Sequence, residues 1–193
     1  MIDSYFIGQP RFFADPQQIF TRATIWDRTE EMNEDLMNYW NSTVSKHDNV
    51  FVLGELFGGP NRDLSFVEEL NGHIHFIHNQ ADVEHKYTNT EWFTTFCSME
   101  FLAGANSIYL TNYLEHINTV ESNIIISSSD NTTLLKRVNY DYCYFVNHCG
   151  TTRLIKNLHS PVFNVCADDW GFKPVSIREI IDLYNNYRRT YTD

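Results

Sequence analysis

The sequence alternates short apolar segments with segments of helical periodicity, and this alternation constrains the fold more than any other feature. Residues 5–7, 50–53 and 74–77 are short apolar segments of the kind that form buried strands. Between the first two, residues 29–44 carry apolar side chains at helical spacing, which predicts an amphipathic helix. Strands and helices that follow one another with short links predict a layered α/β domain.

The second half of the chain continues the pattern. Residues 123–127, 142–146 and 162–166 are rich in β-branched or aromatic residues, which predicts three more strands. Ser176, followed three residues later by Glu179, has the pattern of a capping box. This pair predicts the start of a final helix.

The composition indicates one folded domain over residues 1–193. Hydrophobic residues make up 42% of the chain and aromatic residues 15%, which is ample material for a core. The 25 acidic and 14 basic residues give a formal net charge of -11. This charge disfavours direct binding to nucleic acid or to anionic lipid, and it permits docking onto a basic protein surface.

The cysteines and the apolar runs indicate in which cellular compartment the protein is expected. Cys97, Cys143, Cys149 and Cys166 form neither a C-x-x-C pair nor a zinc-finger spacing, which is typical of reduced thiols. The first residues lack the pattern of a secretory signal, and no apolar run approaches the ~18 residues that a membrane span needs. A cytoplasmic protein without a membrane partner is therefore expected.

Polar residues follow the predicted strands, at the carboxyl ends where α/β folds bind their ligands. In chain order, these turns read Gly8-Gln9-Pro10-Arg11-Phe12, Gly54-Glu55, His78-Asn79-Gln80-Ala81, Ser127-Ser128-Ser129 and Asn147-His148-Cys149-Gly150. Their order and spacing resemble the calcineurin-like metallophosphoesterase family, particularly its small bacterial and phage members. In that family the corresponding turns carry Asp-x-His, Gly-Asp, Gly-Asn-His-Asp, a lone His and Gly-His-x-His.

The resemblance extends beyond these turns. Leu70-Asn71-Gly72 and the stretch from Asn164-Val165 to Lys173-Pro174-Val175-Ser176 also look like the family's sequences. It covers nearly the whole chain apart from residues 82–121, where we expect short helical or irregular pieces. The resemblance implies an αββα sandwich, in which two mixed sheets lie between flanking helices.

The resemblance also locates the family's metal-binding positions. In the first turn, the family's Asp corresponds to Gln9 and its His to Arg11. A guanidinium stays protonated and has no lone pair to offer a metal. The bridging Asp corresponds to Glu55, which keeps the charge, and the lone His corresponds to Ser128.

The remaining two motifs are also altered. Asn79 keeps the family's Asn, whereas the catalytic His corresponds to Gln80 and the following Asp to Ala81. In the last motif, the first His is kept as His148 and the second is Gly150. The proton donor for the leaving group is therefore replaced.

These replacements predict that the standard two-metal chemistry is lost. Glu55, Asn79 and His148 remain as weak candidate ligands, enough for at most one weakly bound Mn or Zn ion, and no other cofactor is expected. A Glu left without its metal needs another partner if it is buried. We therefore hypothesise that Arg11 lies near the vacated position and pairs with Glu55.

A second group of possible ligands is His73 and His75, which are two residues apart on a predicted strand and so share a face. This spacing is compatible with metal binding. The preferred interpretation is a solvent-facing strand edge.

Three functions are compatible with this sequence. The preferred one is a catalytically inactive binding module, a pseudoenzyme that takes the form of a phage-encoded inhibitor of a host protein. Its partner would be a basic host nucleic-acid-binding protein, in the host cytoplasm. The alternatives are a residual single-metal phosphoesterase that uses Glu55, Asn79 and His148, and a nucleotide-binding sponge in which Arg11 holds phosphate without cleavage.

Overall fold

The computed structural model describes residues 2–59, 64–79, 94–112, 122, 124–128, 145–147, 150–153 and 162–191. The strands in chain order are β1 (Ser4–Gly8), β2 (Asn49–Leu53), β3 (His73–Ile77), β4 (Thr94–Phe96), β5 (Ser98–Ala103), β6 (Asn106–Thr111), β7 (Ile124–Ser127), β8 (Phe145–Asn147), β9 (Gly150–Arg153), β10 (Val162–Asn164) and β11 (Val175–Ser176). The α-helices are α1 (Phe20–Ala23), α2 (Thr29–Thr43) and α3 (Ile177–Tyr191), and 3₁₀ helices span Pro16–Gln18, Leu64–Glu69 and Ala167–Asp169.

Two mixed sheets form the centre of the fold, and helices flank them. The first is a 5-stranded sheet with the spatial order β11-β1-β2-β3-β4, in which β1 to β4 are parallel and β11 is antiparallel to β1. The second is a 6-stranded sheet with the order β5-β6-β7-β10-β8-β9. Its four inner strands are parallel, and its two edge strands are antiparallel to their neighbours. The expected pair of mixed sheets between helices is therefore observed.

Helix α2 covers one face of the first sheet. Its side chains Met32, Leu36 and Trp40 are buried at helical spacing and belong to the same apolar cluster as Val52 and Phe76 of the sheet. Burying a large apolar side chain contributes about 1.5–3 kcal/mol. The amphipathic pattern of residues 29–44 thus fixes the position of α2.

The opposite face of the first sheet packs against the second sheet. A single apolar cluster joins Phe51 of β2 to Ile108, Ile124 and Phe163 of the second sheet, and it also contains Ile180 of α3. Successive residues of a strand point to opposite faces, so β2 contributes to both apolar clusters. This packing places the carboxyl ends of strands from both sheets side by side.

The predicted start of the last helix is confirmed in atomic detail. The backbone N–H of Ser176 donates to Glu179 Oε2 at 2.8 Å, and the backbone N–H of Glu179 donates to Ser176 Oγ at 3.2 Å. These two bonds are the reciprocal pair of a capping box. The strands predicted at residues 5–7, 50–53 and 74–77 are confirmed as well.

The expectation of short helical or irregular pieces in residues 82–121 is wrong for residues 94–112, which form β4, β5 and β6. Residues 82–93 and 113–121 lie outside the described residues. Strand β5 is a sheet edge whose side chains are half-buried or exposed on both faces, so its sequence shows no clean alternation. Gly104, with φ of +64° at the hairpin turn, was the available signal.

The predicted solvent-facing edge at His73 and His75 is wrong for His75. Strand β3 lies between β2 and β4, so it is an inner strand, and the edge was predicted because β4 gives no clear sequence signal. The His75 ring is half-buried and stacks on Phe51, with ring centroids 4.9 Å apart. Its Nε2 lies 3.0 Å from Asn49 Oδ1. His73 is exposed, as expected.

Candidate functional site

The carboxyl ends of β1, β7 and β10 meet where the two sheets adjoin. The backbone N–H of Gly8 donates to the Val165 carbonyl at 2.6 Å, and the N–H of Val165 donates to the Ser127 carbonyl at 3.0 Å. A Cβ atom on Gly8 would lie 2.4 Å from the Cβ of Ser128, so this close approach requires glycine. The polar residues that follow β1, β2, β3 and β7 are Gln9, Arg11, Glu55, Asn79 and Ser128, which we call the strand-end cluster.

Gln9 is fixed by a bond across the two sheets. Its Nε2 donates to the Ser128 carbonyl oxygen at 2.9 Å, so the amide group of Gln9 is bonded to the end of β7. The backbone N–H of Gln9 donates to the Leu53 carbonyl at 3.1 Å, which joins the first turn to the end of β2. Gln9 therefore serves as a structural link in this arrangement.

Arg11 and Glu55 form the predicted ion pair. Arg11 Nε donates to Glu55 Oε2, and each side chain keeps 29% of its surface exposed. The main chains of the two turns are joined as well, because the Arg11 N–H donates to the Glu55 carbonyl at 3.0 Å. The hypothesis that the carboxylate of Glu55 takes a guanidinium partner is confirmed.

The backbone of the strand-end cluster is strained. Gln9, Arg11 and Glu55 have φ values of 48°, 52° and 37°, in the left-handed region that residues with a Cβ rarely adopt. Each such residue costs on the order of 1–3 kcal/mol, and such residues concentrate at sites that handle ligands. The turns therefore keep a costly shape at the positions where the resemblance places metal ligands.

Asn112 is a member of this region that the sequence did not indicate. Its Nδ2 donates to the Ile77 carbonyl at 2.6 Å, and its Oδ1 accepts a bond of 2.8 Å from Ser128 Oγ. Asn112 follows directly after β6, the strand that the sequence did not reveal. Asn79 lies nearby, since a Cβ on Gly54 would be 2.8 Å from Asn79 Nδ2 and 3.5 Å from Asn112 Nδ2.

A second arginine that the sequence did not indicate, Arg22, is bonded to the backbone of the turn after β1. Its side chain is fully buried, and Nη2 donates to Asp168 Oδ2 at 2.8 Å. Nη1 donates to the Pro10 carbonyl at 2.8 Å and Nη2 to the Gln9 carbonyl at 3.1 Å. Arg22 thus joins the turn after β1 to the segment after β10. Asp168 follows a predicted strand and could have been noted on that ground, whereas no sequence pattern singles out Arg22.

The pKa of Asp168 reflects this contact. Burial raises the pKa, but the hydrogen bonds and the charge of Arg22 outweigh burial, so the pKa lies below its ordinary value. Thr21 Oγ1 also donates to the carboxylate at 2.5 Å. The pair is therefore ionised at neutral pH.

Cys166 lies beside this region, and its thiol is unreactive. Its burial raises the pKa to about 12, with a further contribution from the charge of Asp168. The thiolate is the nucleophilic form of cysteine. Cys166 is therefore protonated at neutral pH and unsuited to nucleophilic catalysis.

The described residues do not fit a two-metal centre. Among them, no group of three or more His, Cys, Asp or Glu side chains is arranged to hold a metal ion. Arg11 places a cation on Glu55, and the Gln9 amide is bonded to a carbonyl. Gln80, Ala81 and His148 lie outside the described residues, and of Gly150 only the backbone is described, as the first residue of β9.

Comparison with known proteins supports the fold alone. No protein-family model matches the chain, and no curated protein is significantly similar to it. The crystal structure of the protein of unknown function AQ665 from Aquifex aeolicus is similar, with a TM-score of 0.64 and 16% sequence identity. The match covers 95% of this chain and 100% of that one. At this identity, the match shows a shared fold and says nothing about activity.

Within the described ranges, no helix has the length and apolar character to cross a bilayer.

Proposed function

We propose that this chain is a degenerate relative of the calcineurin-like metallophosphoesterases that acts by binding a protein and does not hydrolyse phosphate esters. The observation that carries the proposal is the ion pair between Arg11 and Glu55. It occupies the turns that, by the resemblance, hold the first metal and the bridging carboxylate.

Electrostatic repulsion opposes metal binding at this ion pair. A metal-bridging carboxylate needs its oxygens available to two cations. Here the carboxylate of Glu55 already accepts a bond from a permanent cation. Two like unit charges about 4 Å apart repel by about 4 kcal/mol near a protein surface, and a divalent ion doubles this repulsion. Partial exposure of the ion pair lowers this repulsion energy, but a positive guanidinium still opposes the binding of a metal cation.

The net charge supports a protein as the partner. At -11, the chain repels the phosphates of nucleic acids, and it attracts basic surfaces over a distance of several ångströms. A basic host nucleic-acid-binding protein has this character. Inhibition of such a protein, in the host cytoplasm, is the form of the proposal that follows from the resemblance to phage members of the family.

The catalytic part of the proposal is tested by hydrolysis assays. Bis-p-nitrophenyl phosphate and a cyclic nucleotide are incubated with the protein and with Mn²⁺ or Zn²⁺. We expect no turnover above the rate of buffer with metal. Metal-dependent turnover that is lost in His148→Ala would contradict the proposal and favour the residual single-metal phosphoesterase.

One observation favours a second candidate, an anion-binding cleft. Arg11 carries five N–H donors, and in the described residues the one on Nε is bonded to Glu55. Its side chain is 29% exposed, and a guanidinium bonds strongly to phosphate groups. Nucleotides would then raise the melting temperature of the wild type and not of Arg11→Ala. An unchanged melting temperature across a nucleotide panel would exclude this candidate.

A further inference from the structure

The turn around α1 exposes two large apolar side chains close together in the sequence. Phe20 is 87% exposed and Ile25 is 54% exposed, and they are two of the four exposed large hydrophobic residues in the described chain. Single exposed apolar residues are ordinary, whereas two exposed large apolar residues only five positions apart in the chain are less common. Neither belongs to the apolar clusters of the core.

The turn that carries Phe20 and Ile25 is held rigidly from beneath. Arg22, between them, is fully buried and bonded to Asp168 and to two carbonyls of the first turn. Trp26 is buried, its Nε1 donates to Asp35 Oδ2 at 2.7 Å, and its carbonyl accepts a bond of 2.9 Å from Gln17 Nε2. Because this scaffold fixes the turn, little conformational entropy remains to be lost when a partner binds.

The surroundings of the turn are acidic. Between residues 15 and 35, the exposed acidic side chains are Asp15, Asp27, Glu30, Glu31 and Glu34. Two basic residues lie in this stretch, and of these Arg22 is buried in its ion pair, which leaves Arg28 as the exposed one. A segment that exposes both apolar side chains and carboxylates is complementary to a basic surface with an apolar pocket.

We infer that Phe20, Ile25, Asp27, Glu30 and Glu31, the α1 surface, form the docking site for a positively charged protein partner that receives Phe20 in an apolar pocket. This inference rests on the proposed function, because it assigns the surface through which the chain binds a protein. It does not use the strand-end cluster.

The experiment uses photo-cross-linking on the full chain. The photoreactive amino acid p-benzoylphenylalanine replaces Phe20 in one variant and Leu102 in a matched control, since Leu102 is 76% exposed on the edge strand β5. The probe is a synthetic amphipathic peptide of lysines and leucines. Two versions serve as comparisons, one with serine in place of leucine and one with glutamate in place of lysine.

We expect the lysine–leucine peptide to cross-link at position 20 and not at position 102, and both comparison peptides to fail. The affinity of the same peptide, from fluorescence anisotropy, should fall about tenfold or more in Phe20→Ser, the range seen for an interface hot spot. It should change by less than about twofold in Leu102→Ser. Glu30→Lys combined with Glu31→Lys should also weaken binding, and added salt should reproduce that effect.

Equal cross-linking at both positions, an unchanged affinity in Phe20→Ser, or no binding of the lysine–leucine peptide would each overturn the inference. A circular-dichroism melt of Phe20→Ser must match the wild type, as expected for an exposed side chain. Metal-dependent hydrolysis would refute the proposed function whatever happens at Phe20. Protein binding that does not depend on Phe20 would refute the α1 surface alone.

Discussion

Two arginine–carboxylate pairs hold the turn after β1, and they differ in burial and in the number of bonds. Arg22 and Asp168 have side chains that are 0% and 15% exposed, and Arg22 also bonds to two carbonyls of the turn. Arg11 and Glu55 are each 29% exposed, and one bond, from Arg11 Nε, joins their side chains. The buried pair is bonded to the backbone of the turn, whereas the more exposed pair joins the two side chains on which the proposed function depends.

The backbone shape and the side-chain bonds of this region differ in what they suit. Gln9, Arg11 and Glu55 have strained backbone conformations, while the Gln9 amide is bonded to a carbonyl and the Glu55 carboxylate to Arg11. Arg22 bonds to the carbonyls of Gln9 and Pro10 in the first of these turns. Substitution and pH affect the two pairs to different extents.

The largest effect is expected from Arg22→Ala. It leaves Asp168 without its buried partner and frees the carbonyls of Gln9 and Pro10. Breaking a buried pair on one side costs about 3–5 kcal/mol of unfolding free energy. Urea unfolding measures this loss.

A double variant, Arg22→Ala with Asp168→Ala, serves as the control for that measurement. It should recover part of the stability, because no unpaired charge is then buried. If Arg22→Ala lowers the unfolding free energy by less than about 1 kcal/mol, the value typical of an exposed pair, the two pairs do not differ in their contribution to stability.

The next effect is the response of stability to acid. Burial lowers the pKa of His75, with a further contribution from His73, so the unfolded chain binds the proton more tightly than the folded one. Stability due to neutral His75 is therefore complete above the unfolded pKa of about 6.5 and falls as the pH drops below it. The buried Nδ1 of His75 has no hydrogen-bond partner in the described structure, which adds to the cost of protonation.

Asp168 contributes at lower pH. Its pKa is lowered in the folded state, so its stabilisation is present above the unfolded pKa of about 3.9 and is lost as the pH falls through the folded value. Unfolding curves from pH 8 to pH 3 should show two separate losses, the first abolished in His75→Phe and the second reduced in Asp168→Asn. Asp48 accounts for the rest of the second loss, because backbone hydrogen bonds lower its pKa as well. A single loss that both variants leave unchanged would contradict these assignments.

The smallest effect is expected from Arg11→Ala, which should cost less than about 1 kcal/mol, as for other half-exposed ion pairs. Arg11→Gly is the matched variant. Because φ of residue 11 is 52°, glycine relieves strain that alanine keeps, so it should be about 1 kcal/mol more stable than alanine. Alanine that is as stable as glycine would show that the turn relaxes when the ion pair is lost.

The contrast between the two pairs also shows what a sequence of this kind reveals. Arg11 and Glu55 follow predicted strands, and the resemblance places both in turns that hold one metal site, so their pairing could be predicted. Arg22 and Asp168 are 146 residues apart, and Arg22 lies in a short turn without a pattern. No local sequence pattern therefore predicts the contact between Arg22 and Asp168.

The same reasoning explains the errors in the middle of the chain. Strand β5 is half-exposed on both faces, so the alternation that marks a strand is blurred. Missing β4 made β3 look like an edge, and missing β6 hid Asn112, which contacts Ser128. The inner strands β1, β2, β3, β7 and β10 and the start of α3 were predictable because burial or local hydrogen bonds impose their residues.

The metal content of the purified protein shows whether the Arg11–Glu55 pair excludes a dinuclear metal centre. The chain is incubated with Mn²⁺ and Zn²⁺, desalted and measured by elemental analysis, beside a dinuclear phosphoesterase as the positive control. The ion pair of Arg11 with Glu55 predicts far less than one ion per chain. A stoichiometric pair of ions per chain would contradict the account.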